Sequence, residues 1–129
     1  MKTTYLLIIL IAATTWLGCA KEKPVDTGST ALQAVSITNV AYGADALQKM
    51  DVYLPQGRSA DSTKVLLLIH GGGWVEGDKS DFAAFVDTIK KRLPGYAIFN
   101  INYRLSAFPA NVFPAQELDI KAAVNFIDS

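Results

Sequence analysis

The stretch that most constrains the fold is Val65-Leu66-Leu67-Leu68-Ile69-His70-Gly71-Gly72-Gly73-Trp74. A continuous run of branched apolar residues bounded by glycine fits a strand buried on both faces, as in a parallel sheet. The three glycines that follow carry no Cβ, so their N–H groups can turn into a cavity and approach a ligand closely. A buried strand running into such a turn predicts an anion cradle and leaves open which anion it holds.

The flanking segments place that strand in an α/β sheet. Val35 to Val40 alternate well enough for a half-exposed strand ended at Tyr42-Gly43, and Met50, Val52 and Leu54 alternate with Lys49, Asp51 and Tyr53 in a second. Pro55-Gln56-Gly57 turns the chain, and the two strands are expected to pair as an antiparallel hairpin at one edge of the sheet. Beyond the glycines, Ser80 is the expected N-cap of a helix with Asp81 in its first turn. Phe82, Phe85, Val86, Ile89 and Leu93 share one face of that helix, and Pro94-Gly95 stops it. Its basic end, Lys90-Lys91-Arg92, reads as solvated. Tyr96 to Tyr103 is a second buried strand, so strand–helix–strand predicts a parallel pair with a right-handed crossover.

Pro114 opens a last helix, at the position where its missing N–H is harmless, with Ala115, Leu118, Ala122 and Phe126 as its inward stripe. Asp119 falls on the edge of that stripe, where a carboxylate is expensive unless paired. Arg104, just past the preceding strand, is the available partner. The pair reads as structural, pinning the Leu105–Val112 loop.

The N-terminus stands apart. Lys2 gives a short positive start, and Tyr5 to Trp16 form a mostly apolar segment too short to span a membrane as a mature helix. Residues 1–18 therefore read as a signal peptide. Cys19, directly after Leu17-Gly18, resembles the lipobox of bacterial lipoproteins, with Trp16 where that motif usually has Leu. The resemblance implies cleavage before Cys19, its lipidation, and an exported protein held on the membrane; the alternative is a signal peptide with an incidental cysteine. Residues 19–33, polar and punctuated by Pro24 and Gly28, read as a flexible tether, which leaves 34–129 for one folded domain. Cys19 is the sole cysteine, so no intrachain disulfide supports that domain. Twelve basic residues balance twelve acidic ones, so no net field argues for a nucleic-acid partner.

Two anions compete for the glycine turn. Gly72 and Gly77 have the spacing of the phosphate loop G-x-x-x-x-G-K-[ST], with Lys79-Ser80 near a helix start, but Asp78 stands where that loop requires Lys. Glu76 and Asp78 would also set negative charge beside the phosphates. The other candidate is an oxyanion: His-Gly-Gly-Gly after a buried strand is the oxyanion-hole motif of lipase- and esterase-type α/β-hydrolases. Asp51-Val52-Tyr53-Leu54-Pro55, His70-Gly71-Gly72-Gly73-Trp74 with Gly77, Asn102-Tyr103-Arg104-Leu105 and Phe113 to Ala123 follow one another as in hormone-sensitive-lipase-type carboxylesterases. The tryptophan makes the chain resemble the feruloyl/acetyl-xylan esterase-like branch more closely.

This resemblance runs from about Val35 to the last residue and implies the N-terminal part of an α/β-hydrolase fold. It implies that the N–H groups of Gly72 and Gly73 form the hole, with Trp74 as a further donor. His70 would shape the loop together with Gly71 and is not the general base, because in this fold the nucleophile precedes the acid and the histidine. The implied substrate is an ester, either a small one or an acylated plant polysaccharide. No metal or cofactor is expected.

The nucleophile elbow G-x-S-x-G is absent from the sequence. Gly57-Arg58-Ser59-Ala60-Asp61 lacks the last glycine and precedes the hole strand, so Ser59 is a decoy; Ser106 and Ser129 sit in no elbow. The expectation is an N-terminal fragment of a longer serine esterase, inactive by itself, whose apolar strand becomes an open sheet edge without its neighbour. A lipid-anchored, non-catalytic binding module derived from a hydrolase fold is the alternative.

Overall fold

A computed structural model describes residues 31–129. The expected signal peptide, Cys19 and nearly all of the tether lie outside the described residues.

Four strands form one mixed sheet in the order β1-β2-β4-β3, where β1 is Val35–Ala41, β2 is Lys49–Leu54, β3 is Lys64–Ile69 and β4 is Tyr96–Ile101. β1 and β2 make the expected antiparallel hairpin at one edge, and β2 also runs antiparallel to β4. β3 and β4 are parallel, joined by a 3₁₀ turn at Lys79–Phe82 and helix α1, Ala83–Arg92. Helix α2, Ala115–Asp128, closes the described chain.

Because side chains alternate across a strand, the register sorts the sheet into two faces. Met50 lies opposite Ile101 and Val52 opposite Phe99. These four form one face, packed with Tyr42, Ala97 and Ala123 into the main core, which Ile120, Ala122 and Ile127 of α2 help cover. The other face carries Asp51 opposite Asn100 and Tyr53 opposite Ile98. Lys90 of α1 lies 5.5 Å from the centre of the Tyr53 ring, so α1 covers that face. One helix on each side of a mixed sheet is the two-sided layering of α/β folds.

Five expectations need correction. β3 is not buried on both faces: it is the outermost strand, with Val65 54% exposed, because no strand among the described residues lies beyond it. The cap before α1 is Asp78, not Ser80. Its side chain accepts from Ser80 N–H while Asp81 reaches back to the Asp78 N–H, a capping box at the start of the 3₁₀ turn. Phe85 of α1 is exposed, leaving Val86 as the buried contact. On α2 the inward stripe is rotated: Leu118 and Phe126 face out, while Gln116, Asp119 and Ala123 are buried. The rotation follows from polar pairing, because Asp119 and Gln116 both bind groups of the β4 exit. Pro114 is the N-cap of α2 rather than its first helical residue.

Candidate functional site

Three consecutive residues leaving β4 tie the surrounding elements together. Asn102 accepts from the Lys79 N–H at 2.6 Å and donates to the Asp78 carboxylate at 2.7 Å, holding the 3₁₀ turn against the sheet. Asn100 adds a donation to the Lys79 carbonyl at 2.7 Å. Tyr103 binds the glycine turn. Arg104 forms the expected ion pair with Asp119 of α2, at 2.6 Å from Nη2 to Oδ1, and its Nε and backbone N–H also donate to that carboxylate.

Asp119 is 1% exposed. Burial pushes its carboxyl up, but the Arg104 hydrogen bonds, joined by one from Gln48, outweigh that and hold it below the usual carboxylate range. Gln116 donates to the Arg104 and Asn111 carbonyls and so fastens both ends of the loop that Arg104 begins. The Tyr42 hydroxyl donates to the Asn102 carbonyl, and burial keeps that phenol firmly protonated.

The glycine turn starts where β3 stops. His70 is 3% exposed, and its Nδ1 lies 2.8 Å from the Gly71 carbonyl. Gly72, Gly73 and Trp74 then follow with φ of 111°, 60° and 70°. The Gly72 carbonyl accepts from both Val75 N–H at 3.1 Å and Glu76 N–H at 3.2 Å, which curls the chain tightly. A Cβ on Gly72 would collide with the Glu76 carbonyl, and one on Gly77 with the His70 ring and the Gly71 carbonyl, so both glycines are steric requirements of the turn. Trp74 holds a left-handed conformation that costs a non-glycine residue roughly 1–3 kcal/mol and persists only where surroundings enforce it. Two contacts enforce it here. Ser106 N–H donates to the Trp74 carbonyl at 2.7 Å, and the indole meets the Tyr103 ring edge-on, centroids 5.1 Å apart.

The consequence is a row of amides at successive positive φ. Among the described residues, the N–H groups of Gly72, Gly73 and Trp74 have no acceptor. Successive free N–H groups in a turn form a concavity suited to an anion. His70, Gly71, Gly73, Trp74 and Tyr103 line a cavity of about 190 Å³ beside them.

The structure also places the residues of the phosphate-loop reading. The Lys79 Nζ lies 2.8 Å from both carboxylate oxygens of Asp51 on the α1 face of the sheet, committed to an ion pair. The Asp78 carboxyl is lowered to about 2, first by the Ser80 N–H and then by Asn102, so it is charged near neutral pH. A phosphate would therefore meet an anion and a spent lysine. Ser59 sits in an exposed turn, its Oγ 2.6 Å from the Ser62 Oγ. Among the described residues no group of His, Cys, Asp and Glu is arranged to hold a metal ion.

Sequence reasoning did not assign roles to Tyr103, Asn102 or Gln48, and it met Lys79 only in the phosphate-loop spacing. Tyr103 and Asn102 carried a signal as buried-strand residues leading into the Arg104 segment.

Comparison with known proteins gives a consistent picture. A model of the BD-FAE family matches residues 50–129. Esterase LipC of Mycobacterium tuberculosis is 26% identical over 112 residues, covering 87% of this chain and 27% of that protein. Kynurenine formamidase of Scheffersomyces stipitis is 32% identical over 92 residues, 68% of this chain and 32% of its own length. Among solved structures, Esterase B from Lactobacillus rhamnosis matches with a TM-score of 0.57 at 27% identity, covering 73% of this chain and 29% of that one. The chain thus spans about a third or less of the proteins it matches.

Proposed function

Since this chain belongs to the BD-FAE family, and so to the α/β-hydrolase esterases as an N-terminal portion of that fold, we propose that it supplies the oxyanion hole of a serine carboxylic-ester hydrolase. One observation carries the reading: the acceptor-free amides of Gly72, Gly73 and Trp74, set at the end of a parallel strand and beside a cavity.

The chemistry needs such a turn. When a serine oxygen adds to an ester carbonyl, the C=O π pair moves onto oxygen, and fixed N–H donors stabilise that charge without reorganising. As the tetrahedral species collapses, the alcohol leaves with a proton and the acyl group stays on serine until water releases it as the acid. Gly72 and Gly73 are the first two donors of this hole and Trp74 is a third candidate. His70 and Gly71 shape the loop, and Arg104 with Asp119 anchors its support. The nucleophile, acid and base belong to no residue of this sequence, so the 129-residue chain by itself does not turn over ester. Export through residues 1–18 and a lipid on Cys19, with residues 19–33 as tether, complete the proposal for where the enzyme works. Acylated polysaccharide or a small ester is the substrate class.

The test is an amide-resolved NMR titration of this chain with butylphosphonate, a stable tetrahedral oxyanion, and separately with ADP. The N–H signals of Gly72, Gly73 and Trp74 should move with the phosphonate and stay with ADP. Movement of the Gly77 and Lys79 signals with ADP, and none with phosphonate, would return the turn to the phosphate reading.

A further inference from the structure

Tyr103 is 1% exposed and touches the entry of the glycine turn at several points. Its hydroxyl lies 2.8 Å from the His70 carbonyl, 3.3 Å from the Gly71 carbonyl and 3.2 Å from His70 Nδ1. Its ring stacks on the imidazole, centroids 4.2 Å apart and planes 13° from parallel. Burial raises the phenol, so it stays a donor.

Proton counting fixes the roles. A carbonyl can only accept, so the 2.8 Å contact between His70 Nδ1 and the Gly71 carbonyl puts a proton on Nδ1. The single Tyr103 hydroxyl proton then cannot be given to Nδ1. It goes to the His70 carbonyl, the shortest contact, while the phenol oxygen lies against the face of the imidazole.

Peptide planarity carries this to the hole. In a trans peptide the N–H points opposite to the C=O of the residue before it. Holding the Gly71 carbonyl toward His70 and Tyr103 therefore turns the Gly72 N–H the other way. The Gly73 N–H is set differently, because its peptide partner, the Gly72 carbonyl, is held by Val75 and Glu76. The two donors thus have separate supports.

We propose that Tyr103 is a positioning residue of the oxyanion turn, acting through His70 and the Gly71 carbonyl to orient the Gly72 N–H but not that of Gly73. This rests on the oxyanion-hole reading above, and Gly73 provides the control that separates the two. Tyr103→Phe removes the hydroxyl and keeps the ring.

The experiment compares the full 129-residue wild-type and Tyr103→Phe chains by NMR with butylphosphonate as the probe, in a Val65→Lys background if the free β3 edge associates. In the wild type both the Gly72 and Gly73 amides should respond. In Tyr103→Phe the Gly73 response should persist while that of Gly72 falls roughly fivefold, the weight of one net hydrogen bond in an orientational equilibrium. Equal responses at both glycines in the two chains overturn the role of Tyr103 and leave the hole standing. Silence at both glycines in the wild type removes the hole, and the inference with it. Should Tyr103→Phe fail to fold, the imidazole ¹⁵N shifts of wild-type His70 decide. A proton on Nδ1 supports the inference and a proton on Nε2 alone overturns it.

Discussion

Replacing Arg104 with methionine, which keeps much of the aliphatic stem and deletes the guanidinium, isolates the pair that fastens α2 to the sheet. Asp119 would then keep its carboxylate at 1% exposure with two donors left, the Arg104 backbone N–H at 2.8 Å and Gln48 Nε2 at 2.7 Å. Stripping one partner from a buried ion pair costs about 3–5 kcal/mol. The two surviving hydrogen bonds set the expectation at the lower end, about 3 kcal/mol, a large part of the 5–15 kcal/mol of a typical domain. In urea, with m near 1–3 kcal/mol/M, the midpoint should fall by roughly 1–3 M at pH 7.

The pH dependence gives the stricter test. Asp119 is depressed in the folded wild type, so its contribution is present above the unfolded carboxylate value and is lost as pH falls through the lower folded value. In Arg104→Met burial is less opposed, the carboxyl rises, and Asp119 takes up its proton at a higher pH. The gap between the two proteins should be widest at neutral pH and narrow toward pH 3. A difference below about 1 kcal/mol at pH 7, within the range of an exposed ion pair, or a gap that does not change with pH, would refute the reasoning.

Three further outcomes follow from the same geometry. Gly77→Ala combines a φ of 102° with a collision against His70 and the Gly71 carbonyl, so it should destabilise by about 1–3 kcal/mol or more and shift the His70 ring signals; an unchanged melting curve would contradict the packing. Lys79→Met leaves the Asp51 carboxylate, whose side chain is 12% exposed, with the Asn39 N–H as its remaining donor. Thermal unfolding should show a loss of about 2–4 kcal/mol, and near-neutrality would mean that this pair is solvent-screened. The 129-residue chain should not hydrolyse 4-nitrophenyl butyrate above the buffer rate, whereas hydrolysis abolished by changing Ser59, Ser106 or Ser129 would reveal a nucleophile of its own.

The parts legible in the sequence are those set by local pattern. The apolar run and glycines gave β3 and its turn, alternation gave the hairpin, and strand–helix–strand gave the parallel pair. The Asp119–Arg104 pair is legible from the expense of a lone carboxylate on a buried stripe. What escaped depended on distant partners. Leu118 and Phe126 fit a helical stripe as well as Gln116, Asp119 and Ala123 do, and only the carbonyls and guanidinium of the β4 exit decide which stripe turns inward. Ser80 and Asp78 are both competent caps, and Asn102, over twenty residues on, tips the choice by binding Asp78. The ion pair that commits Lys79 has no local mark, because Asp51, which holds it, lies on a strand far earlier in the chain. The role of Tyr103 needed the tautomer of His70, which no spacing rule supplies.

The central claim is that the Gly72–Trp74 amides stabilise the oxyanion of an ester in reaction. The most direct measurement is kcat and KM for 4-nitrophenyl butyrate in a hydrolase carrying these residues together with a G-x-S-x-G serine, compared with its Gly72→Ala variant. A Cβ there must displace the Glu76 carbonyl and with it the turn. The account predicts that kcat falls by about 10²–10³, the usual loss for one oxyanion donor, at nearly constant KM. An unchanged kcat, or a loss confined to KM, would contradict it.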